Sequence, residues 1–238
     1  MMMNEHTTKA FDVDLQELAR LTAEMGGLVE KQIADSVDAL SKRDVERASR
    51  VVASDVAVDA LQRAIEEKAV LTIARRQPMA VDLREILGAL RLANDLERIG
   101  DLAKNIAKRV TAITGDFHPQ RLLRGVQHMS ALVLGQLKQV LDSYAGHDLS
   151  KALAVWKGDE EVDAMCTSLF RELLTYMMED PRNITFCIHL MFCAKNIERM
   201  GDHATNIAET VHFMIEGRAI TDDRPKGDTT SVFSAAEK

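Results

Sequence analysis

Aromatic residues are scarce. Phe, Trp and Tyr together make up 4 % of the 238 residues, and proline occurs only 4 times. Sheets draw on aromatic and β-branched side chains. This chain is instead rich in Ala, Leu, Met, Glu and Lys, a composition that favours helices. Basic charge is also short. Lys and Arg number 30 against 37 Asp and Glu, a net charge of −7, which argues against a sequence-independent nucleic-acid binder. The longest uncharged apolar-rich run, Ile184 to Ala194, has 11 residues, too few to span a bilayer. The opening residues Met1-Met2-Met3-Asn4-Glu5-His6 hold no apolar core, so no secretory signal is expected. Cys166, Cys187 and Cys193 form no C-x-x-C pair. An odd cysteine count without a framework fits a reducing, cytoplasmic setting with thiols buried in the core. No GxxxxGK[ST] phosphate loop is present, and no Ser/His/Asp or Cys/His set follows from spacing. The chain is therefore not expected to be an ATPase or to carry a nucleophile.

What is present is helical periodicity. The length suits two domains of about 100 residues each. Pro78, Pro119, Pro181 and Pro225 cut the chain into long uninterrupted stretches and are expected at turns or helix ends. Val13 to Leu40 carries Leu18, Leu21, Met25, Leu28, Ile33, Val37 and Leu40. Asp55 to Arg76 carries Val58, Leu61, Ile65 and Thr72. Leu83 to Thr114 carries Leu92, Leu96, Ile99, Ala103, Ile106 and Val110, a seam stepping alternately four and three residues. Asp44 stands where an N-cap belongs, ahead of a short helical stretch from Val45 to Ala53.

The chain repeats itself. Residues 93–110 and 194–211 are identical at 10 of 18 positions, including Glu97/Glu198, Arg98/Arg199, Gly100/Gly201, Asp101/Asp202 and Asn105/Asn206. Upstream, Asp55 and Asp59 recur as Asp159 and Asp163, and Asp44 recurs as Asp148. The offset falls from 104 to 101 residues across the Pro181 turn. A period near 100 residues is too long for a solenoid unit. The expected fold is all-α, two tandem pseudo-symmetric three-helix bundles over residues 12–115 and 118–217. The polar tail, 218–238, is expected to be disordered.

Each half carries two pairs of acids at i, i+4, which share a helix face. Asp59 and Glu97 lie equally far from the Pro78 turn, and so do Asp55 and Asp101. Around Pro181 the same holds for Asp163 with Glu198 and Asp159 with Asp202. In antiparallel helices each set of four carboxylates therefore converges at one level. With Leu96 at 0° and 100° per residue, Glu97 falls at about 100°, Asp101 at about 140° and Asn105 at about 180°. On that wheel the acids flank the seam and point toward solvent. Small residues at Ala93, Gly100 and Ala107 lie between seam and acids and let a neighbouring helix approach. Like charges at i, i+4 repel, so four duplicated pairs are not explained by solubility. Carboxylates without Cys or much His favour hard cations such as Mg²⁺, Ca²⁺, Mn²⁺ or ferric iron, and near-equivalent sites are expected in the two halves.

These residues resemble the PhoU family. The segments Leu96-Glu97-Arg98-Ile99-Gly100-Asp101 and Ile197-Glu198-Arg199-Met200-Gly201-Asp202 are similar to its duplicated E(D)xxxD motif. Pro78 to Arg84 is similar to its segment before the first motif helix. The second copy departs there, because Asp180-Pro181-Arg182-Asn183 offers no counterpart to Asp82 and Arg84. The resemblance spans about residues 12–217. It implies a cytoplasmic, homodimeric accessory protein of the phosphate ABC transporter that represses the phosphate-starvation response. It also implies contact with a PstB-type transporter ATPase and a PhoR-type sensor histidine kinase, and with the membrane only through those partners. Metal ions (iron, manganese, magnesium or zinc) are implied at Asp55, Asp59, Glu97, Asp101, Asp159, Asp163, Glu198 and Asp202. Asn105, Asn206, Arg98 and Arg199, repeated beside these acids, are candidates to support the ligands from outside.

The alternative is a carboxylate-bridged di-metal oxidase or a metal-storage bundle. Di-iron oxidases need two Glu-x-x-His motifs, and this chain has one, Glu209-x-x-His212. His203, beside Asp202, is the only histidine expected near the acids, and its counterpart is Leu102.

Overall fold

A computed structural model describes residues 2–113 and 120–222, with side chains described from residue 11. Residues 223–238 of the expected tail, with Pro119 and Pro225, lie outside the described residues. The described chain contains no strand and seven α-helices: α1 (Met2–Lys42), α2 (Val45–Arg76), α3 (Val81–Ala112), α4 (Gln120–Gly146), α5 (Leu149–Lys157), α6 (Asp159–Glu179) and α7 (Ile184–Glu216). A 3₁₀ turn, Pro181–Asn183, joins α6 to α7. The first bundle is α1–α3 and the second α4–α7.

Local chemistry sets the turns. Asp44 caps α2 by accepting from Arg47 N at 2.8 Å. Its repeat Asp148 caps α5, accepting from Ser150 N at 3.0 Å and Lys151 N at 3.3 Å. Each cap follows a non-glycine residue in the left-handed region, Arg43 at φ 55° and His147 at φ 51°. Pro78 lies between α2 and α3. Pro181 opens the 3₁₀ turn, where Asp180 accepts from Arg182 N at 3.0 Å.

The expected seam is the core. Leu92, Leu96, Ile99, Ala103 and Ile106 on α3 are fully buried, packed with Met25, Val29 and Ile33 of α1 and Val58 and Ile65 of α2. All three cysteines are buried, and none forms a disulfide.

One expectation is corrected. The Val45–Ala53 stretch is not a separate helix, because α2 runs unbroken for 32 residues. Its second copy breaks at Gly158, the counterpart of Ser54. Glycine inside a helix costs about 1 kcal/mol relative to alanine. At the break, the Gly158 carbonyl accepts from Gln136 Nε2 at 3.0 Å. Against the intact α2 the matching glutamine of α1, Gln32, donates to Ser54 Oγ at 3.0 Å. The break leaves Asp159, Glu160 and Glu161 in the first turn of α6, where the helix dipole favours negative charge.

The two bundles join through α3 against α7 and α1 against α4. The α3–α7 pair is antiparallel. Arg91 stacks on Phe213 at 5.1 Å, Asp95 meets His203 at 2.8 Å, and Arg109 stacks on Phe192 at 4.1 Å. The level of Gly100 on α3 therefore faces the level of Gly201 on α7, and the two motifs stand at one height in a pseudo-two-fold arrangement. Gly88 permits this approach: a Cβ there would stand 2.1 Å from Met214 Sδ. Arg84, which has no repeat partner, donates from Nε to the Met214 carbonyl at 3.2 Å and ties the first bundle to the end of α7.

Candidate metal centres

The acids approach one another in each half, but no three of them meet at a common point among the described residues. In the first bundle Asp55 of α2 and Asp101 of α3 meet through Lys104, whose Nζ is 2.5 Å from Asp55 Oδ2 and 2.5 Å from Asp101 Oδ1. Glu97 lies within the fields of Asp101 and Asp59. Arg98 reaches in from solvent, 3.5 Å from Glu97 and 4.0 Å from Asp101. In the second bundle Glu198 lies within the fields of Asp202 and Asp163. Its Oε1 accepts from Lys195 at 2.6 Å. Asp159 accepts from Thr205 Oγ1 at 3.3 Å.

The acids are not on a solvent face, which corrects the helical-wheel expectation. Asp159, Asp163, Glu198 and Asp55 are buried, and Asp59, Glu97, Asp101 and Asp202 are half-buried. A wheel drawn on one helix places the acids beside the seam, but α2 and α6 lie across that flank and remove it from water.

Burial and mutual repulsion then act on protonation. Burial, followed by the charge of Asp101, pushes the Glu97 carboxyl above its ordinary range. For Asp101, burial works against the charge, but the hydrogen bond and charge of Lys104 outweigh it and hold the carboxyl below its ordinary range. Asp101 and Asp55 together overcome burial at Lys104 and keep it firmly an ammonium. Burial raises Glu198 most, with Asp202 and Asp163 adding to it and Lys195 opposing.

The residues suit a hard cation in charge and donor type. The Glu198 Oε2 atom is buried without a hydrogen-bond partner, an acceptor that protein donors leave unused. Among the described residues, no group of three or more His, Cys, Asp or Glu side chains already stands around a common metal position. Closing either cluster on an ion requires side-chain rotation, as expected where like charges hold one another apart.

The supporting candidates divide. Arg98 contacts Glu97 and Asp101, whereas Asn105 and Arg199 are exposed. Asn206 donates to Asp95 at 3.5 Å, and His203 pairs with the same carboxylate, so both serve the junction between bundles. Glu209 accepts from Trp156 Nε1 at 3.1 Å, and His212 bonds the Arg218 carbonyl at 3.1 Å. Neither contact is with a cluster acid.

Two features were missed in the sequence. Lys104 turns inward, and the only hint was its departure from Thr205 in an otherwise close repeat. Gln32 and Gln136, 104 residues apart, each bury an Oε1 atom with no partner. Gln32 Oε1 lies 3.0 Å from where a Cβ on Gly100 would stand, and Gln136 Oε1 3.6 Å from the same point on Gly201. Gly100 makes room for Gln32, whereas a Cβ on Gly201 would make only ordinary contact with Gln136.

Comparisons with known proteins agree with this duplication. A family model described as the PhoU domain matches residues 22–110 and again 126–211. The chain is 56 % identical over 234 residues to a phosphate-specific transport system accessory protein PhoU homolog of Rhizobium meliloti, covering 98 % of this chain and 99 % of that one. A homolog of the same description from Caulobacter vibrioides is 52 % identical over 96 % of this chain and 100 % of its own length. The crystal structure of PhoU from Pseudomonas aeruginosa superposes with a TM-score of 0.82 at 37 % identity, over 87 % of this chain and all of that one. The structure of the phosphate transport system regulatory protein PhoU from Streptococcus pneumoniae gives a TM-score of 0.81 at 27 % identity, over 88 % of this chain and 99 % of that one. On the matched domain in both halves and the identity along its whole length, the chain belongs to the PhoU family.

Proposed function

We propose that this protein is a cytoplasmic, metal-binding helical adaptor that represses the phosphate-starvation response and restrains phosphate uptake. It acts by contact, between a phosphate ABC transporter (through a PstB-type ATPase) and a PhoR-type sensor histidine kinase, and works as a homodimer. The observation that carries this reading is full-length identity to relatives named as accessory proteins of phosphate-specific transport, joined to acid pairs duplicated in register. No helix among the described residues is long and apolar enough to cross a membrane, so the reading routes any membrane attachment through a partner. Long helices offer a surface on which partner helices can dock. Asp55, Asp59, Glu97 and Asp101 in one bundle and Asp159, Asp163, Glu198 and Asp202 in the other would hold the metal, with iron, manganese, magnesium or zinc as candidates. A bound cation would neutralise each cluster and draw α2 to α3, or α6 to α7, fixing the surface that a partner meets.

The test is genetic, then physical. Deleting the gene should leave a phosphate-starvation reporter such as alkaline phosphatase on in high phosphate. The purified protein should bind the transporter ATPase or the kinase's cytoplasmic portion. Normal repression in the deletion strain, with binding to neither partner, would refute the adaptor reading.

A further inference from the structure

We propose that a second copy of this chain docks through two complementary patches: an apolar stripe at the start of α7, with Arg109 beside it, and an acidic and apolar patch near the end of α2. The inference rests on the reading that the protein works as a homodimer, and adds where the copies meet.

The first patch lies in the longest uncharged apolar-rich run of the chain. Ile184, Ile188 and Phe192 follow at four-residue steps, share one side of α7 and stay exposed, Phe192 by 51 %. Arg109 of α3 lies over the Phe192 ring, 4.1 Å from its centroid, and its Nη1 is 3.3 Å from His189 Nδ1. That histidine does not balance the charge, because burial, and then Arg109 itself, lower its pKa and keep the ring neutral. The Arg109 Nε atom is buried without a hydrogen-bond partner, and no carboxylate among the described residues pairs with the guanidinium. Its capacity is not met within the chain, and the half-buried guanidinium suits a carboxylate arriving from outside.

The second patch supplies carboxylates. Glu66, Glu67, Val70 and Leu71 line one open hollow on α2. Val70 is 63 % exposed and Leu71 47 %. Among the described residues neither glutamate forms an ion pair, while the nearby Lys68 and Arg76 turn to Asp14.

The helices α2 and α7 flank α3. Val70 and Leu71 lie close to the Pro78 turn, at the end where Arg84 reaches the Met214 carbonyl. Phe192 lies toward the other end, level with Arg109. The two patches stand roughly 35 Å apart along α3 at the helical rise, so those of one molecule cannot meet. A two-fold axis across the middle of α3 sets the α7 patch of each copy on the α2 patch of the other, twice, and closes the pair.

The experiment is sedimentation velocity of full-length protein over a range of concentrations, with a thermal melt of every variant. Wild-type protein should form dimers. Arg109→Glu and Glu66→Lys/Glu67→Lys should each weaken self-association by about tenfold or more, because like charges then face one another at both contacts. Ile188→Ser should weaken it with no change of charge. Mixing the Arg109→Glu protein with the Glu66→Lys/Glu67→Lys protein should restore dimers, since each contact then joins two native patches or two reversed ones. If Arg109→Glu fails to fold, Glu66→Lys/Glu67→Lys and Ile188→Ser carry the test.

A wild-type protein monomeric at every concentration would overturn the homodimer reading, and this inference with it. Wild-type dimers that no patch variant weakens would overturn the inference alone, and so would a mixture that stays monomeric. Intact dimers in Arg109→Glu, with binding to the transporter ATPase or the kinase portion lost, would assign the α7 patch to that partner instead. Species growing beyond the dimer would overturn the two-fold closure.

Discussion

Leu96 and Glu97 are neighbours on α3, and their substitution should move stability in opposite directions. Leu96 is fully buried. Leu96→Ala removes its packing and leaves a cavity between α3 and the helices around it, a loss of about 2–5 kcal/mol. Glu97 is half-buried, with its carboxyl raised by burial and by Asp101 and Asp59. Without metal its charge works against the fold, so Glu97→Gln should stabilise the protein by about 0.5–1 kcal/mol. The pH dependence carries a sign. A carboxyl raised in the folded state binds its proton more tightly there than in the unfolded chain. Its ionisation therefore costs stability as pH rises through the interval above the ordinary glutamate value of 4.5. The advantage of Glu97→Gln should be small below that interval and full above it. Asp101→Asn should do the reverse at neutral pH, because it removes one of the two carboxylates that hold Lys104. The assay is urea unfolding of chelator-treated protein from pH 4 to 8. A loss of more than about 1 kcal/mol in Glu97→Gln, or one below that in Leu96→Ala, would show that packing and repulsion have been assigned to the wrong faces.

Asp14 gives an acid-side prediction. It pairs with Lys68 at 2.8 Å and Arg76 at 3.0 Å, and the Lys68 hydrogen bond leads the causes that hold its carboxyl below the ordinary 3.8. Asp14→Asn should cost about 1–2 kcal/mol at neutral pH. Because that contribution is lost as pH falls through the lowered value, the variant and wild-type stability curves should converge in acid. The motif glycines give another. Gly201→Ala meets only ordinary contacts and should stabilise α7 by up to about 1 kcal/mol. Gly100→Ala should gain less, because its Cβ would stand 3.0 Å from Gln32 Oε1. Equal gains in thermal melts of the two would count against the packing of Gln32 on Gly100.

The fold was legible in the sequence because the signals were local and repeated. A four-and-three seam marks α3, prolines mark the hairpin turns, and Asp44 and Asp148 mark helix starts. Level matching across the turns brought Asp55 to Asp101 and Asp59 to Glu97 without any tertiary knowledge. Burial of the acids was not legible, because one helix's wheel does not say where the next helix lies. The break at Gly158 was hidden for a related reason: Ser54 and Gly158 differ by one small side chain, and the glutamine that meets each, Gln32 or Gln136, lies on another helix. The inward turn of Lys104 was not legible, because its direction is set by two carboxylates on different helices. Gln32 and Gln136 passed unnoticed because a glutamine in a helix carries no chemistry until its neighbours are known.

The antiparallel α3–α7 pair has a consequence for the order of assembly. It closes a loop of roughly 100 residues, whereas the helices that build each acid cluster, α2 with α3 and α6 with α7, follow one another through a short turn. Closing a loop costs entropy that rises with its length, and contacts close in sequence form sooner. Each hairpin therefore brings its four carboxylates together before the bundles dock. A chain emerging from synthesis holds a complete first cluster, with Lys104 already inside it, before the second has been made.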